Sequence, residues 1–555
     1  MKGPLLTPGR QVALLAASAC VLFAAVATAG TRDDPYAPNE WAFTHTYLAD
    51  LAVRTGEIPV NWAVFWENSL SETYGDFRAA TGLERLSFYA TTAWHFWNGM
   101  PLHPSLVATL ALLTGLPAET VVRAPVGGVL AVLLVYASAS LLLSRVEGVD
   151  ARVSAATPFL VALASAPLAL DLRVLMPSVT LVAVLLFLHL MLRRLLEEDK
   201  RALPLALAPL ALLPFWYYTM AYFFILLFAG FVLVAWIHRY VHGATAPAPL
   251  VPPRVAVVVP GFLVAILALN GVLASQLHMV SLFNAQPRLT QGLPADYESF
   301  LNRETWRSAL LYAELTLLFA PMGLLALVGV QRVARRRPMG PARTLFTAWA
   351  LGGFLFSALM LGTVGLSFLN RSAIYLAPVG ILAFTYFFAR HWRRREARVA
   401  FAATVALMTV ATPTLLATAT PAYAEGDRAA FEWMAGHLPR EAAIYSSLEA
   451  SSVLFRQYGF LNVTASQPTR PLLESFWYSD NPSNVAPYLS TSDYLVLRDD
   501  FRAAGFEEFG PARLPISEAA YGKFHRSRDL HLMFDNGEVQ VFRVDLQLSR
   551  VRPSP

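Results

Sequence analysis

Residues 11–30, QVALLAASACVLFAAVATAG, run straight into Thr31-Arg32-Asp33-Asp34-Pro35-Tyr36. The first stretch carries no charge and has the roughly 20 apolar residues that cross about 30 Å of hydrocarbon. Lys2 and Arg10 precede it, so the positive-inside rule keeps the N-terminus cytoplasmic and puts Asp33 and Asp34 on the far side. Ala27-Thr28-Ala29 at its end also allows a cleavable signal peptide. The length favours a retained helix, and either reading leaves the two carboxylates outside.

The rest of the chain repeats this apolar pattern. Of 555 residues 56% are hydrophobic and 15% charged, with mean hydropathy +0.47, whereas soluble domains are closer to half apolar and a quarter charged. These figures define a polytopic α-helical membrane protein. Apolar runs at 11–30, 121–144, 153–170, 175–192, 202–218, 220–237, 255–275, 307–330, 344–366, 372–389 and 399–420 predict about eleven spans. Arginines fall at every second boundary, among them Arg193-Arg194, Arg239, Arg332 to Arg337 with Arg343, and Arg390 to Arg398. All lie on one side if the spans alternate, which makes that side cytoplasmic. Topology thus accounts for the net charge of +5 and the pI of 9.2 without a nucleic acid partner. Cys20 is the single cysteine, which excludes an intrachain disulfide.

Two outer loops are long: 31–120, rich in aromatics such as Trp62, Trp66, Trp94 and Trp97, and 275–305, rich in turn residues. The run from His103 to Leu116 is too short to cross and reads as a surface or re-entrant helix. An odd number of spans leaves residues 422–555 outside. There the pattern predicts helices at Asp427–His437 and Leu448–Tyr458, strands at Ala443–Ser446 and Ser492–Leu497, and a hairpin joining Leu530–Phe534 to Val539–Val544. Its turn is Asp535-Asn536-Gly537, with Asn-Gly supplying positive φ. The expected organisation is a membrane module over 1–421 and an extracytoplasmic α/β domain over 422–555.

Candidate chemistry gathers at the membrane surface. Asp33, Asp34 and Glu40 are candidate bases; of the pair Asp34 is preferred, since its place before proline restricts its backbone. A capped, solvated turn is the plainer reading of Asp33-Asp34, and a dipole-favoured helix start that of Glu40. Arg371 lies where the chain re-enters the membrane, a position that must face water, a partner or a phosphate. A guanidinium suits bidentate phosphate binding; a snorkelling anchor is the alternative. Arg123 and Arg288 are candidates of the same type. His45, His95 and His103 show no metal-ligand spacing, so interfacial hydrogen bonding is the expected role. This reading requires no metal or other cofactor, and a divalent metal is an alternative that no ligand spacing supports.

Several fragments, in order, resemble one family. Asn39-Glu40-Trp41-Ala42-Phe43-Thr44-His45, continuing to Gly56-Glu57-Ile58-Pro59, resembles an acidic, aromatic, His stretch that ends in a Gly-x-x-Pro turn. Leu102-His103-Pro104-Ser105-Leu106 is similar to a His-Pro-Pro-Leu element. Asn370-Arg371-Ser372-Ala373-Ile374-Tyr375-Leu376-Ala377-Pro378 is similar to an Arg, aromatic, Pro entry to a late span. With the overall layout, these resemble the GT-C superfamily of membrane glycosyltransferases. The resemblance implies a polyprenyl-phosphate sugar donor, a glycan, lipid or protein acceptor, and an acidic base in the first outer loop. It also implies that Arg371, His103, His45, Arg123, Tyr375 and Arg288 bind substrate. Oligosaccharyltransferases of that family carry Trp-Trp-Asp early in the outer domain. Here that region reads Tyr445-Ser446-Ser447-Leu448-Glu449, and the resemblance does not extend to transfer of a whole oligosaccharide to Asn. A transporter or lipid flippase, or a non-catalytic scaffold, are the rival classes. A carrier calls for ionisable groups near the midplane of several spans, whereas here they lie mainly at span ends.

Overall fold

The computed structural model describes principally residues 102–144, 175–212, 218–243, 250–269, 319–363, 369–417, 425–446, 458–465 and 476–546, with short breaks inside these ranges. They fall into two compact units, one within Met100–Val280 and Thr305–Thr420, the other within Pro421–Pro555.

The first unit is helical. Its elements are α1 (Leu102–Thr114), α2 (Ala118–Arg123), α3 (Val126–Ser144), α4 (Leu175–Leu196), α5 (Ala202–Leu207), α6 (Tyr218–His242) and α7 (Pro253–Leu269). Then come α8 (Phe319–Ala334), α9 (Pro341–Thr363), α10 (Leu369–His391) and α11 (Arg395–Ala417). Among the described residues four stretches are long and apolar enough to cross a membrane: Thr120–Ser144, Val179–Leu196, Met220–His242 and Ala342–Leu359. The structure therefore shows an apolar helical bundle; it does not itself count eleven crossings.

The turn signals act as the residues dictate. α1 stops at Gly115, whose φ of +69° lets its N–H reach back to the Ala111 carbonyl at 2.8 Å, with Pro117 blocking continuation. The span expected over 202–218 differs. Its described part is the short α5 followed by a 3-10 turn over Ala208–Leu212. Pro204, Pro209 and Pro214 remove backbone donors at five-residue intervals, which starves an α-helix of its ladder.

α4 packs on α3, α6 on α9, and α10 on α3, α4 and α9. Glycine sets the α6–α9 crossing. A Cβ on Gly230 would lie 2.7 Å from the Ala348 carbonyl oxygen, and one on Gly352 would lie 2.7 Å from Leu227 Cα. Two helix backbones touch there with no room for a side chain.

The second unit is a mixed sheet in the order β2-β1-β3-β7-β6. Its strands are β1 (Ala443–Ser446), β2 (Asn462–Ala465), β3 (Tyr494–Arg498), β6 (Leu530–Asp535) and β7 (Val539–Val544). A separate ribbon pairs β4 (Phe506–Glu507) with β5 (Arg513–Leu514). β1 runs parallel to β2 and β3, while β7 is antiparallel to β3 and β6. Period-two alternation sends Ile444, Val496 and Val541 to one face, against Phe431 and Met434 of α12 (Glu425–His437). Tyr445, Leu495, Leu497 and Phe542 go to the other, against Phe476, Trp477 and Phe524 of α13 (Glu518–Arg526) and the segment before it. Both faces are covered, so Leu495-Val496-Leu497 reads as an unbroken apolar run.

The hairpin departs by one residue from the expected Asn-Gly turn. Its closing bond runs from Asn536 N–H to the Val539 carbonyl, so Gly537 and Glu538 are the central residues and Gly537 alone has positive φ, +85°. The Asn536 side chain is otherwise engaged: its Oδ1 accepts from Glu538 and Val539 N–H at 3.0 and 2.8 Å. Its Nδ2 donates 2.8 Å to the Gly426 carbonyl, and Glu538 Oε2 accepts from Gly426 N–H at 2.9 Å. Next to that clamp, Arg498 at the end of β3 forks onto Asp427 with two 2.9 Å bonds, both side chains buried.

Candidate functional site

Of the residues proposed from the sequence, Asp33, Asp34, Glu40, His45 and Arg288 lie outside the described residues, as does His95. Arg123 closes α2 and Arg371 lies in the first turn of α10, described as backbone only. His103 and Tyr375 are described fully, and both are buried.

His103 sits at the start of α1, where Pro104 follows it at a helix N-terminus that lacks a use for the missing N–H. Its ring meets the edge of Trp216 at 5.5 Å and 71°. Trp216 in turn donates its indole N–H to Thr180 Oγ1 of α4 at 3.2 Å. Trp216, which precedes α6, thus touches α1 by a ring contact and α4 by a hydrogen bond. In the sequence Trp216 reads only as an interfacial aromatic and Thr180 has no role; no spacing signal links either to His103.

Tyr375 belongs to a second group. Its ring stacks on Phe223 of α6 at 4.7 Å and 15°, and Phe356 of α9 stands edge-on at 5.2 Å. Trp349 donates its indole N–H to the Tyr375 carbonyl at 3.2 Å. Phe187, Phe223 and Trp349 complete the stack. Such buried aromatic packing fixes the α4, α6, α9 and α10 contacts and sets the α10 backbone firmly. Arg371 lies one helical turn ahead of Tyr375 on that backbone.

Among the described residues no group of three or more His, Cys, Asp or Glu is placed to hold a metal ion.

The apolar helical bundle and the α/β sheet unit that follows it in sequence have the fold of solved structures at 12–14% identity. The particular likeness is to the oligosaccharyltransferase of Archaeoglobus fulgidus. One structure of it, tethered to an acceptor peptide containing the NVT sequon, has a TM-score of 0.52 at 12% identity, covering 89% of this chain and 69% of that chain. The apo form gives 0.52 at 13%, over 89% and 70%. The complex with an inhibitory peptide and a dolichol-phosphate gives 0.51 at 14%, over 88% and 70%. No protein-family model matches the chain, and no curated protein matches it.

Proposed function

We propose that the chain is an integral membrane glycosyltransferase that moves a sugar from a polyprenyl-phosphate donor to a glycan, lipid or protein acceptor at the outer membrane face. The likeness in fold to the archaeal oligosaccharyltransferase over 89% of the chain is the observation that carries this reading. One of those similar structures holds a dolichol-phosphate, the donor chemistry inferred here. Fold alone does not assign chemistry, so the reading stands or falls on named residues.

A carboxylate among Asp33, Asp34 and Glu40 takes the proton from the acceptor hydroxyl as that oxygen attacks the anomeric carbon. The bond from that carbon to the phosphate oxygen breaks, and the phosphate leaves with the electron pair. A single displacement inverts the anomeric centre. Arg371 meets the charge growing on the phosphate, assisted by Arg123 and Arg288 at the interface, while His103, His45 and Tyr375 shape the binding region. The chemistry requires no metal. In the same reading residues 1–421 form the membrane module with outer loops 31–120 and 275–305, and 422–555 form an extracytoplasmic domain that recognises the acceptor.

The test is sugar transfer from labelled polyprenyl-phosphate sugars by the purified chain and its Asp33→Asn, Asp34→Asn and Glu40→Gln variants. At least one amide should lower the rate by about 10²- to 10⁴-fold, the usual worth of a positioned base, with thermal stability unchanged. Transfer that survives all three changes would sink the assignment of the base, and no transfer by the parent chain would favour a carrier or scaffold.

A further inference from the structure

Residues 331–343 and 386–398, the ends of α8, α9, α10 and α11 with the turns between them, are rich in arginine and carry one carboxylate, Glu396. Three of these arginines converge. Arg343 stands in the first turn of α9, with Arg332 of α8, Arg390 of α10 and the Tyr386 hydroxyl all within electrostatic reach. Arg390 Nη1 donates to that hydroxyl at 3.2 Å. Among the described residues none of the three guanidiniums has a carboxylate partner, and the buried Nε of Arg343 meets no acceptor.

Like charges brought together from three helices repel, and a buried donor without an acceptor forfeits its hydration. A cation in the first turn of α9 is further disfavoured by the helix dipole. All three costs are relieved by one anion with several oxygens. The backbone nearby makes the same point. α8 ends in a Schellman turn, with Arg337 N–H on the Arg332 carbonyl and Arg336 N–H on that of Val333, both at 2.8 Å. Arg336 occupies its left-handed position at φ +55°, where glycine is the unstrained choice; the chain keeps a cation instead. The adjoining surface of α8 is apolar and open, Leu327 being 66% and Val330 59% exposed.

We propose that Arg332, Arg343 and Arg390 hold the phosphate of an anionic phospholipid whose acyl chains lie along the exposed face of α8. The site is separate from the proposed transfer chemistry, since Arg390 lies about 28 Å along α10 from Arg371 at 1.5 Å per residue. It therefore stands whether or not that chemistry is correct.

The experiment titrates the purified full chain in a mild nonionic detergent with phosphatidylglycerol, phosphatidylcholine or inorganic phosphate, reading thermal stability and bound lipid by native mass spectrometry. Phosphatidylglycerol should bind and stabilise; the other two should not. Arg343→Gln should weaken that binding about tenfold, the worth of a charge-assisted hydrogen bond. Arg343→Lys, which keeps the charge and loses the fork, should recover only part. Arg394→Gln removes a charge from the same end outside the trio and should change binding by less than about twofold. Where Arg343→Gln does not fold, Arg390→Gln carries the same expectation. Equal losses for Arg343→Gln and Arg394→Gln would overturn the proposal in favour of diffuse attraction. Equal binding of phosphatidylcholine, or full stabilisation by inorganic phosphate, would overturn it as well.

Discussion

Lys523 is the most exacting single residue outside the bundle. It is fully buried, its Nζ donates to the carbonyls of Trp477 and Ser479 at 3.1 and 2.6 Å, and it stands 4.8 Å from the centre of the Phe524 ring. Burial pulls its pKa down to about 7; Asp480 opposes the shift and Arg526 adds to it. Unfolded, the amine holds its proton to about pH 10.4. Between those values the unfolded state binds more protons than the folded one, so stability rises with pH. Unfolding of the full chain, followed by tryptophan fluorescence from pH 7 to 9.5, should show a rising midpoint for the sheet unit. Lys523→Met should flatten that slope and lower the midpoint, because two carbonyls lose their donor. A wild-type midpoint that falls across the same range would refute the shift. Nothing in the sequence marks this residue, since no helix is expected there and a lysine between Gly522 and Phe524 reads as solvent-facing. The candidate carboxylates stand out for the opposite reason: Asp33 and Asp34 follow the twenty uncharged residues 11–30 with only Thr31 and Arg32 between, where charge is conspicuous.

At the scale of elements, hydropathy located most helices but not their lengths. Residues 175–192 and 220–237 correspond to α4 and α6, each extending a few residues further, because terminal arginines and histidines are tolerated in a helix that hydropathy has already left. Residues 202–212, the described part of the span expected over 202–218, leave the α-helical form because proline spacing, which hydropathy ignores, decides whether the backbone ladder closes. In the hairpin the strands were legible from alternation, yet the turn slipped by one residue because Asn536 bonds to Gly426, a partner more than a hundred residues away. Long-range contacts of this kind leave no local trace. The α6–α9 crossing is the same sort of feature, and it can be tested. Gly352→Val would press a side chain onto the Leu227 backbone, where neither partner can yield, and should cost more than the roughly 1–3 kcal/mol of ordinary overpacking. Loss of the monodisperse size-exclusion peak, or a strongly lowered melting temperature, is the expected result. Gly261→Ala on α7, where an added Cβ meets nothing within 4 Å, should leave both unchanged.

For the whole molecule, the alternation of basic clusters with apolar runs implies sidedness. Cys20 is the only native thiol, so a Cys20→Ser background allows single reporter cysteines. Arg336→Cys, in the arginine-rich turn, should resist a membrane-impermeant maleimide in intact cells. Met533→Cys, 47% exposed on the sheet unit, should be labelled. The reverse pattern, or both labelled alike, would overturn the orientation and with it the outer-face site. The global fold was readable because composition and ordered fragments both report on architecture. The proposed site is legible only as residue types, and its candidate carboxylates Asp33, Asp34 and Glu40 lie outside the described residues.

The clamp at Gly426 has a mechanical corollary. Within the sheet unit Gly426, in the first turn of α12, is tied to the hairpin tip, and the next residue, Asp427, is forked onto the end of the central strand β3. Force applied at the start of α12 is thus shared between the β6–β7 tip and the central strand β3, so hydrogen bonds at both places must shear together. The tether point should hold against force far better than its short, glycine-containing sequence suggests.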